Sequence, residues 1–172
     1  MADTYTLISS VTVGAGGASS IDFTSIPATY TDLVVKLSSR VNAGSGGYQT
    51  YVRFNSDSGA NYPWRNLLGT GSSALSQSDT ADTGMRITMS VSSGDTANTF
   101  SNSELYIPNY AGSAYKSVSA DGVSENNATG ATADLAAGLW NSTSAITSIN
   151  IFASGASFVQ YSTAYLYGIK NS

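Results

Sequence analysis

The chain has 172 residues, with 7 lysines and arginines against 11 aspartates and glutamates, a formal charge of −4, and neither cysteine nor histidine. That length fits one domain folding around its own core without staples, so residues 1–172 are read as a single unit. The missing residue types remove disulfides, thiolate zinc sites and every triad built on histidine, and a negative chain without a basic patch is a poor nucleic-acid binder.

Charged residues make up 10% of the chain, so hydroxyls must keep it in solution, and the wealth of Thr, Tyr and Val with few helix formers favours strands. From the N-terminus, "MADTYTL" lacks the basic and apolar regions of a signal peptide, and no later stretch approaches the ~20 apolar residues of a membrane helix. Synthesis and assembly in the cytoplasm, away from membranes, are therefore expected. In "TYTLISSVTV" a period of two places Tyr5, Leu7, Val11 and Val13 on one face, and after the flexible "GAGGASS" the segment "IDF" returns, which predicts a hairpin. "GAGG" has neither the spacing nor the ending of a phosphate loop and is read as a turn.

Past Pro27, "TDLVVKLSSRV" points Leu33, Val35, Leu37 and Val41 inward and Asp32, Lys36 and Arg40 outward. "YQTYVRFN" follows with Val52 and Phe54 opposite Tyr51 and Arg53. "GMRITMSV" alternates Met85, Ile87, Met89 and Val91 with Arg86, Thr88 and Ser90. "NTFSNSELYIPNY" predicts a strand closed by Pro108, "SAYKSVSA" its neighbour, and Asp121-Gly122 a turn. In "TADLAAGLWN" Ala133, Leu135, Ala137 and Leu139 alternate as a strand requires, although the alanines would tolerate a short helix, and the strand is favoured. Two long strands joined near Gly155 end the chain, with Tyr161, Tyr165, Tyr167 and Ile169 on one face. Nine or ten short strands divided by Gly, Asn, Asp and Ser clusters predict an all-β, antiparallel β-sandwich, with a jelly roll as the first choice of topology.

Catalysis without His or Cys would need paired carboxylates, and the acids are scattered over turns and outward strand positions, so the chain is read as no enzyme and as needing no cofactor. The densest chemistry is "RFNSDSGANYPWRN", residues 53–66. Asn55, Asp57 and Asn61 offer oxygens to calcium, but a single carboxylate is thin for that ion and an Asx-type turn accounts for the same residues, so no metal is assigned. Tyr62, Trp64 and Arg65 are candidates for stacking on a sugar or filling a partner's pocket, against the alternative that Tyr62 and Trp64 cover the end of the sandwich. The sequons at 127–129 and 141–143 carry little weight in a chain whose Ser and Thr exceed a quarter of its residues.

The blocks "IDFTSIPATYTDLVVKLSSR", "RFNSDSGANYPWRNLLGTGSS", "LYIPNYAGSAYKSVSADG", "GLWNSTSAITSINIF" and "STAYLYGIK" run in order along nearly the whole chain. Together they resemble a family of small virion proteins of tailed bacteriophages, which includes head decoration proteins and fibre- or tail-associated modules. The resemblance implies a structural protein of the virion: a jelly-roll homotrimer on the capsid surface, bound to the major capsid protein as a decoration or cement protein. The alternative it implies is a tail or fibre module recognising host surface glycans through Tyr62, Trp64 and Arg65.

Overall fold

The computed structural model describes residues 4–127 and 130–170, so the last two residues of the 127–129 sequon lie outside the described residues. Twelve strands make up its regular structure: β1 Tyr5–Thr12, β2 Ser20–Phe23, β3 Asp32–Val41, β4 Tyr48–Phe54, β5 Tyr62–Gly69, β6 Ala74–Asp82, β7 Met85–Ser92, β8 Ser101–Ile107, β9 Lys116–Val123, β10 Ala133–Trp140, β11 Ile149–Ala153 and β12 Thr163–Ile169. Eight form one antiparallel layer in the order β1-β12-β3-β8-β9-β10-β5-β6, and four form the other, β2-β11-β4-β7. The layers meet where β3 runs parallel to β7 for two residues, Arg40 beside Val91 and Val41 beside Ser92. The fold is thus all-β and sandwich-like, as the alternation predicts. The strand order does not by itself establish a jelly roll.

One apolar cluster fills the space between the layers. It draws Leu33, Val35 and Leu37 from β3, Ala164 and Leu166 from β12, Leu105 and Ile107 from β8, Val52 and Phe54 from β4, and Ile149 and Ile151 from β11. Burying a side chain of this size contributes about 1.5–3 kcal/mol relative to leaving it in water, so the cluster dominates stability. Strand β7 packs across β8, β9, β10 and β5, and is buried along most of its length.

Local irregularities revise several expectations. β1 and β2 do not pair with each other: β1 joins β12 and β2 joins β11, because the connection between them carries the chain from one layer to the other. A bulge at Ile8 shifts the phase of β1, so Tyr5 and Leu7 face outward while Val11 sits over Ala164. A second bulge leaves Ile87 without a partner on β4 and interrupts the regular alternation of β7, and Arg86 ends 1% exposed instead of in solvent. Asp32 and Arg40, expected outward, are also buried. Asp32 accepts bonds from Tyr106 Oη at 2.8 Å and from the Asn109 amide, and Arg40 donates to the carbonyls of Asp95, Thr96 and Thr99.

Two further features shape the surface. Asp121 and Gly122 lie inside β9 and not in a turn. A Cβ on Gly122 would stand 2.1 Å from Thr88 Oγ1, so glycine there lets the layers close. The segment read as a strand over a short helix is the strand β10, in which Asp134, Ala136 and Trp140 point inward while Ala133, Leu135 and Ala137 are exposed. Finally, β6, "ALSQSDTAD", has no apolar alternation to mark it and is a strand only because β5 holds it in register.

Candidate functional site

The stretch at 53–66 divides into a turn and a strand. Asn55 and Ser56 both hold left-handed backbones, with φ of 53° and 58°, which folds the loop back on itself. The side chain of Asn55 then ties down the loop before β11. Its Nδ2 donates to the Ala145 carbonyl at 2.7 Å, and its Oδ1 accepts from the amides of Thr147 and Ser148. Asp57 sits at the centre of a ring of donors: the Gly59 amide at 2.9 Å, Asn61 Nδ2 at 3.0 Å and Trp140 Nε1 at 2.7 Å. Partial burial works against its charge, but these bonds outweigh it and hold the carboxyl below its ordinary range. Because every partner offers an N–H, the carboxylate is committed to pinning the loop to β10. Asn61, read above as a possible calcium ligand, presents its NH2 to that carboxylate.

The three residues singled out for recognition separate here. Tyr62 is 0% exposed, packs against Phe54, and exchanges bonds through its hydroxyl with the Phe54 backbone and the Asp57 carbonyl. Desolvation pushes its phenol up to about 12. Trp64 is 8% exposed, and its Nε1 donates to Asp82 at 2.9 Å. Both rings belong to the interior, because the alternation of β5 buries Tyr62, Trp64, Asn66 and Leu68 on one side. Arg65, on the other side, is exposed. With Pro63, Ala137 and Leu139 it borders a shallow depression of about 260 Å³. Arg53 lies on the outside of the smaller layer, 4.2 Å above the Phe152 ring, and donates to the Thr83 carbonyl.

Arg65 opens onto the outer face of the eight-stranded layer, whose register can be followed from edge to edge. One row reads Ser76, Leu67, Leu135, Asp121, Glu104, Lys36, Tyr165 and Ser10. The next reads Ser78, Arg65, Ala137, Ser119, Tyr106, Val34, Tyr167 and Leu7. Leu67 and Leu135 face each other directly and are 59% and 58% exposed, with Val123 close by at 47%. Leu67 and Leu135 border a depression of about 400 Å³ together with Arg65, Ser76 and Ser119. At the far end Tyr5, Leu7, Tyr165 and Tyr167 form a second apolar group, with the Tyr5 and Tyr167 rings edge to face at 6.2 Å. Between the two groups stand Asp121 and the surface pair Lys36–Glu104.

The inner face of the same strands keeps the remaining charge. Arg86 Nη2 lies 3.2 Å from Asp134 Oδ1, both side chains are almost fully buried, and Gln77 accepts a further bond from Arg86. Asp134 also accepts from Asn66 Nδ2 and from the Met89 amide, closing polar groups of β7. Desolvation raises the Asp134 carboxyl, and the Arg86 guanidinium partly offsets it. Near the β3–β7 junction a chain of hydroxyls, Thr50, Ser90, Ser39 and Ser101, joins the layers at 2.6–3.0 Å. These groups satisfy one another. Among the described residues no three Asp or Glu side chains come together as a metal-binding group.

The outer face carries no signal in the sequence, because alternation does not say which side of a strand is buried, and only the phase of β5 and β10 turns Leu67 and Leu135 out. Compared with models of known protein families and with curated proteins, the chain matches none of them.

Proposed function

We propose that this protein is a capsid decoration protein of a tailed bacteriophage, seated as a homotrimer on the outside of the major capsid protein shell and acting by adhesion. The observation that carries the reading is the outer face of the eight-stranded layer. It is broad and exposes leucine, valine and tyrosine in two groups on either side of Asp121 and the Lys36–Glu104 pair, while the buried polar groups of the chain are engaged in internal bonds. Apolar groups of this kind dock against another folded surface without a charge having to leave water. Repeated over a symmetric shell, many modest contacts of this kind sum to a strong cement without any reaction. The resemblance to small virion proteins supports the same reading. The glycan-binding alternative draws less support, because Tyr62 and Trp64 are turned into the core and offer no ring face to a sugar.

The test is reconstitution. Purified protein added to heads assembled without it is expected to bind the outer shell at symmetric positions and to raise the temperature at which the heads release DNA. Leu67→Arg with Leu135→Arg is expected to weaken that binding at least tenfold. Heads that neither bind the protein nor gain heat resistance would refute the proposal.

A further inference from the structure

The free edge of β6 is the part of the sandwich that the monomer leaves unfinished. Residues 74–81 are all exposed, and β6 is the last strand of its layer, with a partner on one side only. The turn before it closes with the Thr70 amide donating to the Ser73 carbonyl at 2.9 Å. Hydrogen-bonded pairs alternate along an antiparallel ladder, so from that closing pair Leu75, Gln77 and Asp79 bond to β5. Ala74, Ser76 and Ser78 therefore turn their N–H and C=O groups away from the molecule. An edge of this kind is a template for another strand.

The other two free edges are blunted. β2 is four residues long, and β1 carries the bulge at Ile8. Along β6 the devices that keep edges apart are missing where they would matter: residues 74–78 hold no lysine, no proline and no charge. The irregularity of β6 lies further on, where Thr80 and Ala81 stand opposite the single residue Pro63 and the Ala81 amide is taken by Asp79 Oδ1 at 2.9 Å. Ala74–Ser78 is thus a regular, uncharged ladder that ends before the bulge begins.

We propose that this edge pairs with the β6 edge of a second copy of the chain, antiparallel about a two-fold axis at Ser76. The register follows from the segment itself. Centred on Ser76, Ala74 stands opposite Ser78 of the partner subunit and Leu75 opposite Gln77 of the partner subunit, every unused backbone group in 74–78 is satisfied, and no two acids face each other. Centring on Ser78 instead would bring in Thr80 at the bulge. The pairing joins two eight-stranded layers into one continuous sheet and sets their Leu67–Leu135 groups on a common face. It is independent of where the protein acts, and as a two-fold contact it is additional to any three-fold one.

Ser76 supplies the test because β5 does not use its amide. Ser76→Pro leaves the ladder within the monomer intact and removes the donor a second copy needs. Light scattering on the purified full chain is expected to give the wild type twice the mass of Ser76→Pro, with thermal unfolding of the variant's fold otherwise unchanged. Ser76→Lys, which sets two cations opposite each other only in the pair, is expected to halve the mass in the same way should the proline variant misfold. In this cysteine-free chain, Ser76→Cys is expected to oxidise to a covalent dimer at least tenfold faster than Ser117→Cys on exposed β9. Equal masses for wild type and both edge variants, or equal cross-linking at 76 and 117, would overturn the proposal, whatever the heads bind.

Discussion

The two faces of β5 and β10 invert the usual relation between residue type and place. Their inner face carries an aspartate, an asparagine, two tryptophans and a tyrosine beside Leu68 and Ala136, and their outer face carries two opposed leucines and two alanines beside Arg65. Inward, the main polar groups are paired, Asp134 with Arg86, Trp140 with Asp57 and Trp64 with Asp82, while Asn66 Oδ1 and Arg86 Nε are left without a partner among the described residues. Outward, Leu67 and Leu135 face each other and water. A chain with few ions can bury polar groups if it pairs them, and what it leaves in water is then free to be adhesive.

The inner face is most vulnerable at the Arg86–Asp134 ion pair. Asp134→Ala leaves Arg86 buried without its counter-charge, and is expected to lower unfolding free energy by about 3–5 kcal/mol in urea titrations. Asp134→Asn, which keeps a hydrogen-bonding group of the same shape, is expected to lose less. The next largest effect is expected at Gly138, where a Cβ would come within 1.8 Å of Met85 Sδ. Gly138→Ala is expected to cost about 3 kcal/mol, and combining it with Met85→Ala should cost less than the sum of the two single changes.

Asp57→Ala is expected to cost about 2 kcal/mol near neutral pH, because Trp140 Nε1 is left buried without an acceptor. This cost depends on pH in a direction the structure fixes. The carboxyl of Asp57 is held below its ordinary value, so its contribution is full above about pH 4 and is lost as pH falls through the depressed folded value. Urea curves for wild type and variant should therefore converge under acid. The smallest expected effect on stability lies on the outer face: Leu67→Ser and Leu135→Ser should each change unfolding free energy by no more than about 0.5 kcal/mol. Their effect is expected in binding instead, which co-sedimentation with heads would read. A large loss of stability from either serine variant would mean that this face is core after all.

Much of this architecture was legible in the chain itself. The inward set Leu33, Val35, Leu37 and Val41 of β3, the closure of β8 at Ile107 before Pro108, and the pairing of β8 with β9 follow from the period of two and from proline's missing donor. Those signals are local, and they held wherever a strand is regular and one of its faces is apolar. The all-β character followed from composition for the same reason.

The phase of β10, the place of Arg86 and the existence of β6 were decided elsewhere. Asp134 points inward because Arg86 waits there, and Arg86 is there because β7 bulges at Ile87 and packs under β10. Gly138 reads as a neutral glycine until Met85 arrives from another layer. β6 has no pattern of its own and takes its conformation from the backbone groups of β5. Alternation reports which residues share a face, but which face is buried depends on what stands opposite, and that is settled only when the two layers close.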